Sequence, residues 1–299
     1  MATQNSTSYK IVAKLKDYMQ LIKFTLSFTV VFSCVICFLL VPKNGYDFIM
    51  ILIIFVAGML VTGSANAINQ SVEKDTDAQM KRTATRPIAA GRMTQSEGYT
   101  FAIVTGALGV LMMWYFFNLP SAIISLLSLF LYAFIYTPLK KVNSIAVLVG
   151  AFPGALPCLI GWVAGFYNDD ILWTGGLVLF AVQFLWQFPH FWAIAWVAHT
   201  DYSKAGFKLL PADKGPTKFT ALQAIMYSVL MIPVGILPKL VGISGMVSLW
   251  IVLAANLFMV IQCIRLYKEM DVKAARRVMF SSYIYLPIVL LALLFDKMQ

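Results

Sequence analysis

Three oxygen-bearing side chains recur at every fourth position near residue 70. They are Asn69, Glu73 and Asp77, called the oxygen trio below. An α-helix turns about 100° per residue, so a four-residue step drifts by only about 40° and the three side chains share one face. Two carboxylates and an amide suit Mg²⁺, a hard cation that prefers oxygen ligands and commonly also binds substrate phosphates. The spacing therefore predicts a magnesium site on a helix face.

Two arginines follow the oxygen trio in the chain. Arg82 and Arg86 would stand one helical turn apart if the helix continued, and guanidinium groups bind phosphate oxygens in a bidentate way that lysine cannot. An ordinary solvated helix end with scattered charges is the alternative. Asn66 argues against it, because it falls on the same face inside an apolar stretch, where polar groups are costly and usually functional. The segment thus combines a candidate metal site with a candidate phosphate site.

The chain is too apolar for a water-soluble protein. Its 299 residues are 60% hydrophobic and 12% charged, and its mean hydropathy is +0.80, whereas soluble domains average about 25% charged residues. Nine apolar runs are long enough to cross a bilayer, and no alternating pattern of a β-barrel is present. The predicted spans are 20–41, 47–68, 97–117, 120–137, 143–165, 171–197, 219–238, 243–264 and 279–295. We expect an all-α polytopic membrane protein with nine transmembrane helices.

Basic residues are divided unevenly between the two sides that nine spans define. All but Lys43, Lys239 and Lys297 of the 23 basic residues fall on the side of the N-terminus. The positive-inside rule then places the N-terminus in the cytoplasm and the C-terminus outside. Topology and anionic lipid account for the net charge of +10, so the charge does not indicate nucleic-acid binding. Since the N-terminal residues resemble neither a transit nor a signal peptide, we expect a bacterial inner membrane.

Two long cytoplasmic loops, at about 70–96 and 199–218, contain much of the charge and are separated by four spans. Long loops on a compact scaffold tend to have functional roles. Their spacing predicts two pseudo-repeated four-helix halves followed by a ninth helix. The expected parts are a cytoplasmic N-terminal segment, a nine-helix domain and a short external tail, at 1–19, 20–295 and 296–299.

Polar groups also occur at three other places in the chain. Asp201 in the second loop could add a metal ligand, and Lys204 or Lys208 a phosphate contact, although a plain charged loop would look the same. The sequence Tyr136-Thr137-Pro138-Leu139-Lys140-Lys141 ends the fourth span, and its lysines are either topology markers or anion contacts. Cys34 and Cys37 form a C-x-x-C inside an apolar span, which favours small core residues over a redox pair.

His190 stands inside the sixth predicted span, after Pro189, which removes a backbone donor and favours a kink. Within a soluble core a single histidine is usually just a hydrogen-bonded side chain, but within a membrane span it favours a substrate contact. The neighbouring aromatic residues would suit a flat aromatic ligand, and helix packing explains them equally well. These neighbours are Trp186, Phe188, Phe191 and Trp192.

The N-x-x-x-[D/E]-x-x-x-D pattern of the oxygen trio on a membrane helix resembles the intramembrane (UbiA-type) prenyltransferases. Four stretches together are more narrowly similar to the branch of that superfamily that farnesylates protoheme IX. They are Arg82-Thr83 with Arg86-Pro87 after the trio, YTPLKK at 136–141, FLWQFPHFWAIAW at 184–196 and DYSKAGFKLLP at 201–211. The likeness extends over nearly the whole chain.

This resemblance implies a reaction and its participants. Farnesyl diphosphate would bind through Mg²⁺ on the oxygen trio, and the vinyl group of heme b would accept the farnesyl group, with addition of water, to give heme O. The product would serve terminal oxidase assembly, with heme A synthase or oxidase assembly proteins as further partners. His190 would contact heme, as an iron ligand or by proximity. The other implied site residues are Arg82, Arg86, Asp201, Lys81, Lys140, Lys141, Lys204, Trp186 and Tyr136.

The chain departs from the family pattern at three places, one of which is Cys158 where a second proline is common. Ala198 and Tyr202 occupy two positions of the second aspartate-rich motif, which leaves Asp201. Where the family commonly has an arginine shortly after Lys23, this chain has Thr25, so Lys23 would act alone.

Two alternative functions remain open at this point. One is a UbiA-type enzyme acting on another acceptor, such as 4-hydroxybenzoate or a chlorophyll-like ring, and His190 argues against it. The other is a transporter or ion channel, since broken helices with buried polar residues also occur there. The nine-helix count and the unequal loops disfavour transport.

Overall fold

The computed structural model describes residues 2–42, 47–167, 169–212 and 215–298, with side chains described from residue 11 onward. Two lysines of the predicted charge distribution, Lys43 and Lys214, lie outside these residues. The described chain is helical apart from its loops and one isolated β-bridge between Ser244 and Lys297. Its helices are α1 Ala2–Leu21, α2 Phe24–Leu39, α3 Phe48–Val72, α4 Lys74–Ala78, α5 Gln95–Phe116, α6 Leu119–Phe130, α7 Thr137–Leu139, α8 Ala146–Ala164, α9 Trp173–Val197, α10 His199–Lys204, α11 Lys218–Leu240, α12 Met246–Glu269 and α13 Val272–Phe295.

Eight helical segments of the described chain are long and apolar enough to cross a membrane, and a bent pair of helices makes a ninth when it counts as one span. Eight are single spans, one of which joins α6 and α7 into Leu119–Leu139, and the ninth is a pair of helices, Ile11–Leu21 and Phe24–Leu39, bent by 52°. The predicted all-α class is therefore confirmed, and the predicted number of nine spans is reached when the bent pair counts as one span. The prediction of one continuous first helix at 20–41 is wrong, because the helix breaks between Leu21 and Phe24.

Side chains of α3 stabilise this break. Lys23 adopts a left-handed backbone conformation with φ of 47°, which ends α1 and interrupts the regular hydrogen bonds to the carbonyl groups of its last turn, although Lys23 N still donates to Gln20 O at 3.1 Å. Gln70 Nε2 donates to two of these carbonyls at 2.9 and 2.8 Å, and Asn66 Nδ2 donates to the carbonyl of Ile22 at 3.2 Å. These hydrogen bonds are needed because lipid hydrocarbon offers no partner to an unpaired backbone carbonyl group. Asn66, predicted on the face of the oxygen trio, therefore supports the break.

The spans pack as a closed ring. Along the chain α2 contacts α3, α3 contacts α5, α5 contacts α6, and α6 contacts α8. The series continues through α9, α11, α12 and α13, and α13 returns to α2. Helix α8 also packs closely on α2, where a Cβ atom at Gly161 would overlap the carbonyl oxygen of Cys34. The absence of a side chain at Gly161 thus permits the close approach of α8 to α2.

Several spans begin at side-chain caps. Thr94 Oγ1 accepts from the backbone N–H of Glu97 at 3.1 Å at the start of α5. The carboxylate of Asp271 accepts from the N–H of Ala274 at 2.7 Å at the start of α13. Such caps satisfy donors that have no partner in the first helical turn. They fix where the spans enter the loops that surround the site.

Candidate active site

The oxygen trio lies at the end of α3, on the side of the two long loops. The predicted continuous helix is interrupted at Glu73, which separates α3 from the short helix α4. Glu73 N nevertheless donates to Asn69 O at 3.0 Å, and Asp77 N to Glu73 O at 2.7 Å, so the four-residue repeat persists. Asn69, Glu73 and Asp77 are only 2%, 3% and 1% exposed. The three oxygen-bearing groups are therefore buried along one side of the break.

Two members of the trio are held by basic side chains from different segments. Arg86 Nη1 donates to both carboxylate oxygens of Asp77, at 2.8 and 2.7 Å. Lys23 Nζ, from the break in the first span, donates to Asn69 Oδ1 at 3.1 Å. The break thus has a direct link to the site, because it directs Lys23 toward the trio.

Lys140 pairs with Glu73, the remaining member of the trio. Its Nζ also lies 5.4 Å from the centroid of the Tyr136 ring and 4.9 Å from that of Phe207. Burial lowers the pKa of Lys140, while the Glu73 carboxylate opposes this by favouring the charged amine. The sequence left Lys140 open as topology marker or anion contact, and the structure places it in a buried ion pair.

A wide helical turn presents Lys140 to Glu73. Between α6 and α7 the segment Leu131–Tyr136 is a π-helix, a form that accommodates one extra residue in a turn and often occurs at functional sites. Thr137 Oγ1 donates to the carbonyl of Tyr132 at 2.8 Å within this turn. The Asn69 amide lies 3.4 Å from the same Thr137 hydroxyl. The wide turn is therefore part of the wall of the site.

The two long loops meet over the site. Arg82 Nη2 donates to the hydroxyl of Tyr202 at 3.0 Å, and Lys208 N donates to the carbonyl of Lys140 at 2.8 Å. The prediction that Arg82 and Arg86 lie one helical turn apart on one helix is wrong, because the chain after Gln79 forms a series of turns. Arg86 faces Asp77, whereas Arg82 faces the second loop.

The remaining candidate residues of these loops are less closely engaged. Lys141 Nζ donates to Thr76 Oγ1 at 2.6 Å, beside the trio. Lys81 and Lys204 are exposed, and Asp201 is half-buried with no side-chain hydrogen bond or ion pair from the described residues. Their roles stay predictions. Tyr202 and Phe207 were not expected in the site, since only the folded loops bring them to Arg82 and Lys140.

His190 forms a second polar centre between α9 and α13. Helix α9 continues through Pro189. His190 Nδ1 lies 2.8 Å from Ser282 Oγ, and its ring stacks on Trp186 with centroids 4.7 Å apart and planes 23° apart. Trp186 Nε1 donates to the carbonyl of Ser282 at 3.0 Å. Sequence reasoning missed Ser282, whose only signal is its polarity inside an apolar span.

The cysteines belong to the core. Cys34, Cys37, Cys158 and Cys263 are buried and form no disulfide in the described part of the chain. Cys34 and Cys37 pack within α2, as the interpretation of their C-x-x-C as core residues predicted.

The donor set of the oxygen trio fits Mg²⁺. The trio offers two carboxylates and the Asn69 amide, and the described residues contain no group of three histidine, cysteine or acidic side chains arranged for a metal ion. All three donors are oxygens, the type that Mg²⁺ prefers. The basic side chains of Lys23, Lys140 and Arg86 contact the three members of the trio. This arrangement suits a metal ion that arrives together with an anionic diphosphate.

Comparison with known sequences places these residues in a wider context. The profile of the UbiA prenyltransferase family matches residues 30–285. A protoheme IX farnesyltransferase of Cytophaga hutchinsonii is 45% identical, with 96% of this chain and 99% of its own length covered. Another, from Flavobacterium johnsoniae, is 38% identical, with 99% and 98% covered.

Solved structures share the same architecture. A chain from structural work on digeranylgeranylglyceryl phosphate synthase matches with a TM-score of 0.79 at 22% identity, covering 95% of this chain and 98% of that one. A UbiA homolog from Archaeoglobus fulgidus bound to GPP and Mg²⁺ matches with a TM-score of 0.70 at 13% identity, covering 93% and 99%. At these identities the likeness concerns the fold.

Proposed function

The chain belongs to the UbiA prenyltransferase family, and from that membership we propose that it transfers a farnesyl group from farnesyl diphosphate to heme b. Water adds in the same reaction, and the product is heme O. Full-length relatives named protoheme IX farnesyltransferase support this donor and acceptor. The observation that carries the proposal is the buried oxygen trio faced by Lys23, Lys140 and Arg86.

Binding of farnesyl diphosphate would use both the oxygen ligands and the basic side chains of this cluster. Asn69, Glu73 and Asp77 would hold Mg²⁺, which when bound neutralises charge on the diphosphate. Arg86 uses only Nη1 on Asp77, so its other guanidinium donors remain for phosphate oxygens. Lys140 can likewise divide its donors between Glu73 and phosphate.

The reaction then requires stabilisation of the departing diphosphate. The bond between farnesyl C1 and its phosphate oxygen breaks, and the electron pair leaves with the diphosphate. Arg86, Lys140 and Lys23 surround the oxygens of the trio, and they stabilise the developing negative charge because they are already in position. The apolar spans keep bulk water away from the allylic cation.

The heme vinyl group supplies the electrons for the new bond. Its terminal carbon bonds to farnesyl C1, and the positive charge moves to the carbon beside the porphyrin ring. A water oxygen adds there and loses a proton, which gives the hydroxyethylfarnesyl group of heme O. His190 belongs to helix α9, and it would be the residue that contacts heme.

The cellular setting follows from charge distribution and from the implied product. The site would face the cytoplasm of a bacterial inner membrane, since almost all basic residues lie on the side of the N-terminus and the long loops. Heme O would pass to terminal oxidase assembly, with heme A synthase as one candidate recipient. The two four-helix halves remain a proposal based on the spacing of these loops.

The test is a reaction in nanodiscs with farnesyl diphosphate, heme b and Mg²⁺. We expect a heavier and more hydrophobic heme by mass spectrometry, with release of diphosphate. Glu73→Gln should abolish both, while Glu97→Gln, which removes a carboxylate paired with Lys14 outside the trio, should retain them. A parallel reaction replaces heme b by 4-hydroxybenzoate, and prenylation there but not of heme would favour the other acceptor class. Absence of any prenylated product and of diphosphate release would overturn the proposal.

A further inference from the structure

The hydroxyl of Ser282 has two neighbours, and only one arrangement of hydrogens satisfies both. Its Oγ lies 2.6 Å from the carbonyl oxygen of Met279, one turn earlier in α13, and 2.8 Å from Nδ1 of His190. A carbonyl oxygen can only accept, and a serine hydroxyl has a single hydrogen. Two oxygens approach to 2.6 Å when that hydrogen lies between them. Ser282 therefore donates to Met279 and accepts from His190.

This arrangement determines the tautomer of His190. If Nδ1 donates to Ser282, the neutral ring has its hydrogen on Nδ1 and a lone pair on Nε2. No described residue forms a hydrogen bond with Nε2. Histidines that bind metals almost always donate their other ring N–H to an oxygen acceptor, which fixes the tautomer and the ring orientation. His190 thus has the form of a metal-binding imidazole.

Trp186 fixes the plane of the same ring. It lies one turn before His190 on α9, stacks on the imidazole at 4.7 Å and donates its indole N–H to the carbonyl of Ser282. Tyr283 contacts the imidazole from α13, with ring centroids 5.3 Å apart. Two connections to Ser282, one through His190 and one through Trp186, therefore lock this part of α9 to α13.

We propose that Ser282 is a positioning residue for the heme substrate. It holds His190 in the tautomer protonated on Nδ1, so that Nε2 can bind the iron of heme b. Ligation at a fixed imidazole would restrict how the porphyrin lies, and with it which vinyl group meets the farnesyl cation. This inference rests on the proposed function, because it takes heme as the acceptor. Ser282 itself touches no reacting atom.

The experiment measures heme binding without turnover. Wild type, His190→Ala, Ser282→Ala and Ser282→Thr are titrated with ferric heme b in nanodiscs without farnesyl diphosphate. Loss of such an oxygen acceptor typically weakens metal binding about 10- to 100-fold, so we expect that loss in Ser282→Ala and its recovery in Ser282→Thr. After reduction, resonance Raman should show an iron–imidazole stretching band that shifts in Ser282→Ala and returns in Ser282→Thr.

Ser228 provides a matched control. Its hydroxyl is also fully buried in a span and donates to the carbonyl three residues earlier, that of Ile225, at 2.8 Å. Ser228→Ala should therefore leave heme affinity and the Raman band unchanged. If Ser282→Ala does not fold, Ser282→Cys tests the same point, because a thiol is a weaker acceptor and should shift the band partway.

Two results would overturn the inference. One is an unchanged affinity and an unchanged Raman band when the Ser282 hydroxyl is removed, and the other is a wild-type heme spectrum that His190→Ala does not alter. Product formation is scored separately. If farnesylated heme forms but no iron–imidazole band is seen, the role of Ser282 is rejected and the proposed function stands. If the band is seen but no farnesylated heme forms, the proposed function alone is rejected.

Discussion

Replacing Arg86 by alanine tests whether the oxygen trio is built to bind a divalent cation. Arg86 Nη1 contacts both oxygens of Asp77, and the side chains are 19% and 1% exposed, respectively. Removing one partner of a buried ion pair costs about 3–5 kcal/mol, because the other charge stays buried and unpaired. Since the guanidinium is partly exposed, we expect the lower end, about 3 kcal/mol.

Magnesium should reverse much of this loss. A ligand that binds only the folded state at a hundredfold excess over its Kd stabilises it by about 2.7 kcal/mol. In Arg86→Ala the Mg²⁺ ion no longer competes with the guanidinium group for the carboxylate of Asp77. Mg²⁺ should therefore stabilise the variant more than it stabilises wild type. Unfolding in nanodiscs, followed by the fluorescence of the seven tryptophans, with and without Mg²⁺, measures both effects.

An exposed ion pair serves as the control for this experiment. Arg277 pairs with Glu269 at the loop between α12 and α13, with the two side chains 35% and 37% exposed. Arg277→Ala should cost less than about 1 kcal/mol and show no specific response to Mg²⁺. The reasoning fails if both variants lose the same stability, or if Mg²⁺ stabilises Arg86→Ala no more than wild type.

Three further substitutions test other contacts. Tyr202→Phe removes the hydroxyl that accepts from Arg82 and keeps the ring, so the KM for farnesyl diphosphate should rise. The rise should be about tenfold at most, because a hydrogen bond contributes about 0.5–1.5 kcal/mol. An unchanged KM would show that this contact does not contribute to binding of the donor. Gly161→Ala should force α8 away from the Cys34 carbonyl and lower stability by about 1–3 kcal/mol in thermal unfolding, and full stability would contradict the close approach. Asp271→Ala should cost about 1 kcal/mol through loss of the α13 cap, with turnover per folded molecule retained.

The spans and the oxygen trio could be predicted from the sequence because both depend on local regularities. Long apolar runs identify membrane helices whatever their neighbours are. The spacing of Asn69, Glu73 and Asp77 places them on one side whether or not the helix breaks, since the backbone hydrogen bonds at four-residue intervals survive. Local periodicity was therefore enough for these features.

The partners of these residues depend on tertiary structure and could not be predicted in this way. The break at Lys23 is stabilised by amide groups of α3 that are 44 to 50 residues away in the sequence. Lys140 reaches Glu73 only because a π-helical turn precedes it, and His190 meets Ser282 across 92 residues. Hydropathy and spacing contain no information about which faces of two distant spans meet. The predicted pairing of Arg82 with Arg86 failed for a related reason, since turn geometry replaced the helix.

The wide turn at Leu131–Tyr136 gives this span an unusual response to a change in chain length. A π-helical turn holds one residue more than an α-helical turn, and each residue of an α-helix rotates the chain by about 100°. Deleting one residue from an ordinary helical turn would therefore rotate all side chains beyond it by about 100°. Deleting one exposed residue from 131–136, such as Phe134, which is 62% exposed, would instead let ordinary winding resume and keep Lys140 directed toward Glu73. The span can thus lose one residue at this turn and keep the ion pair of the site.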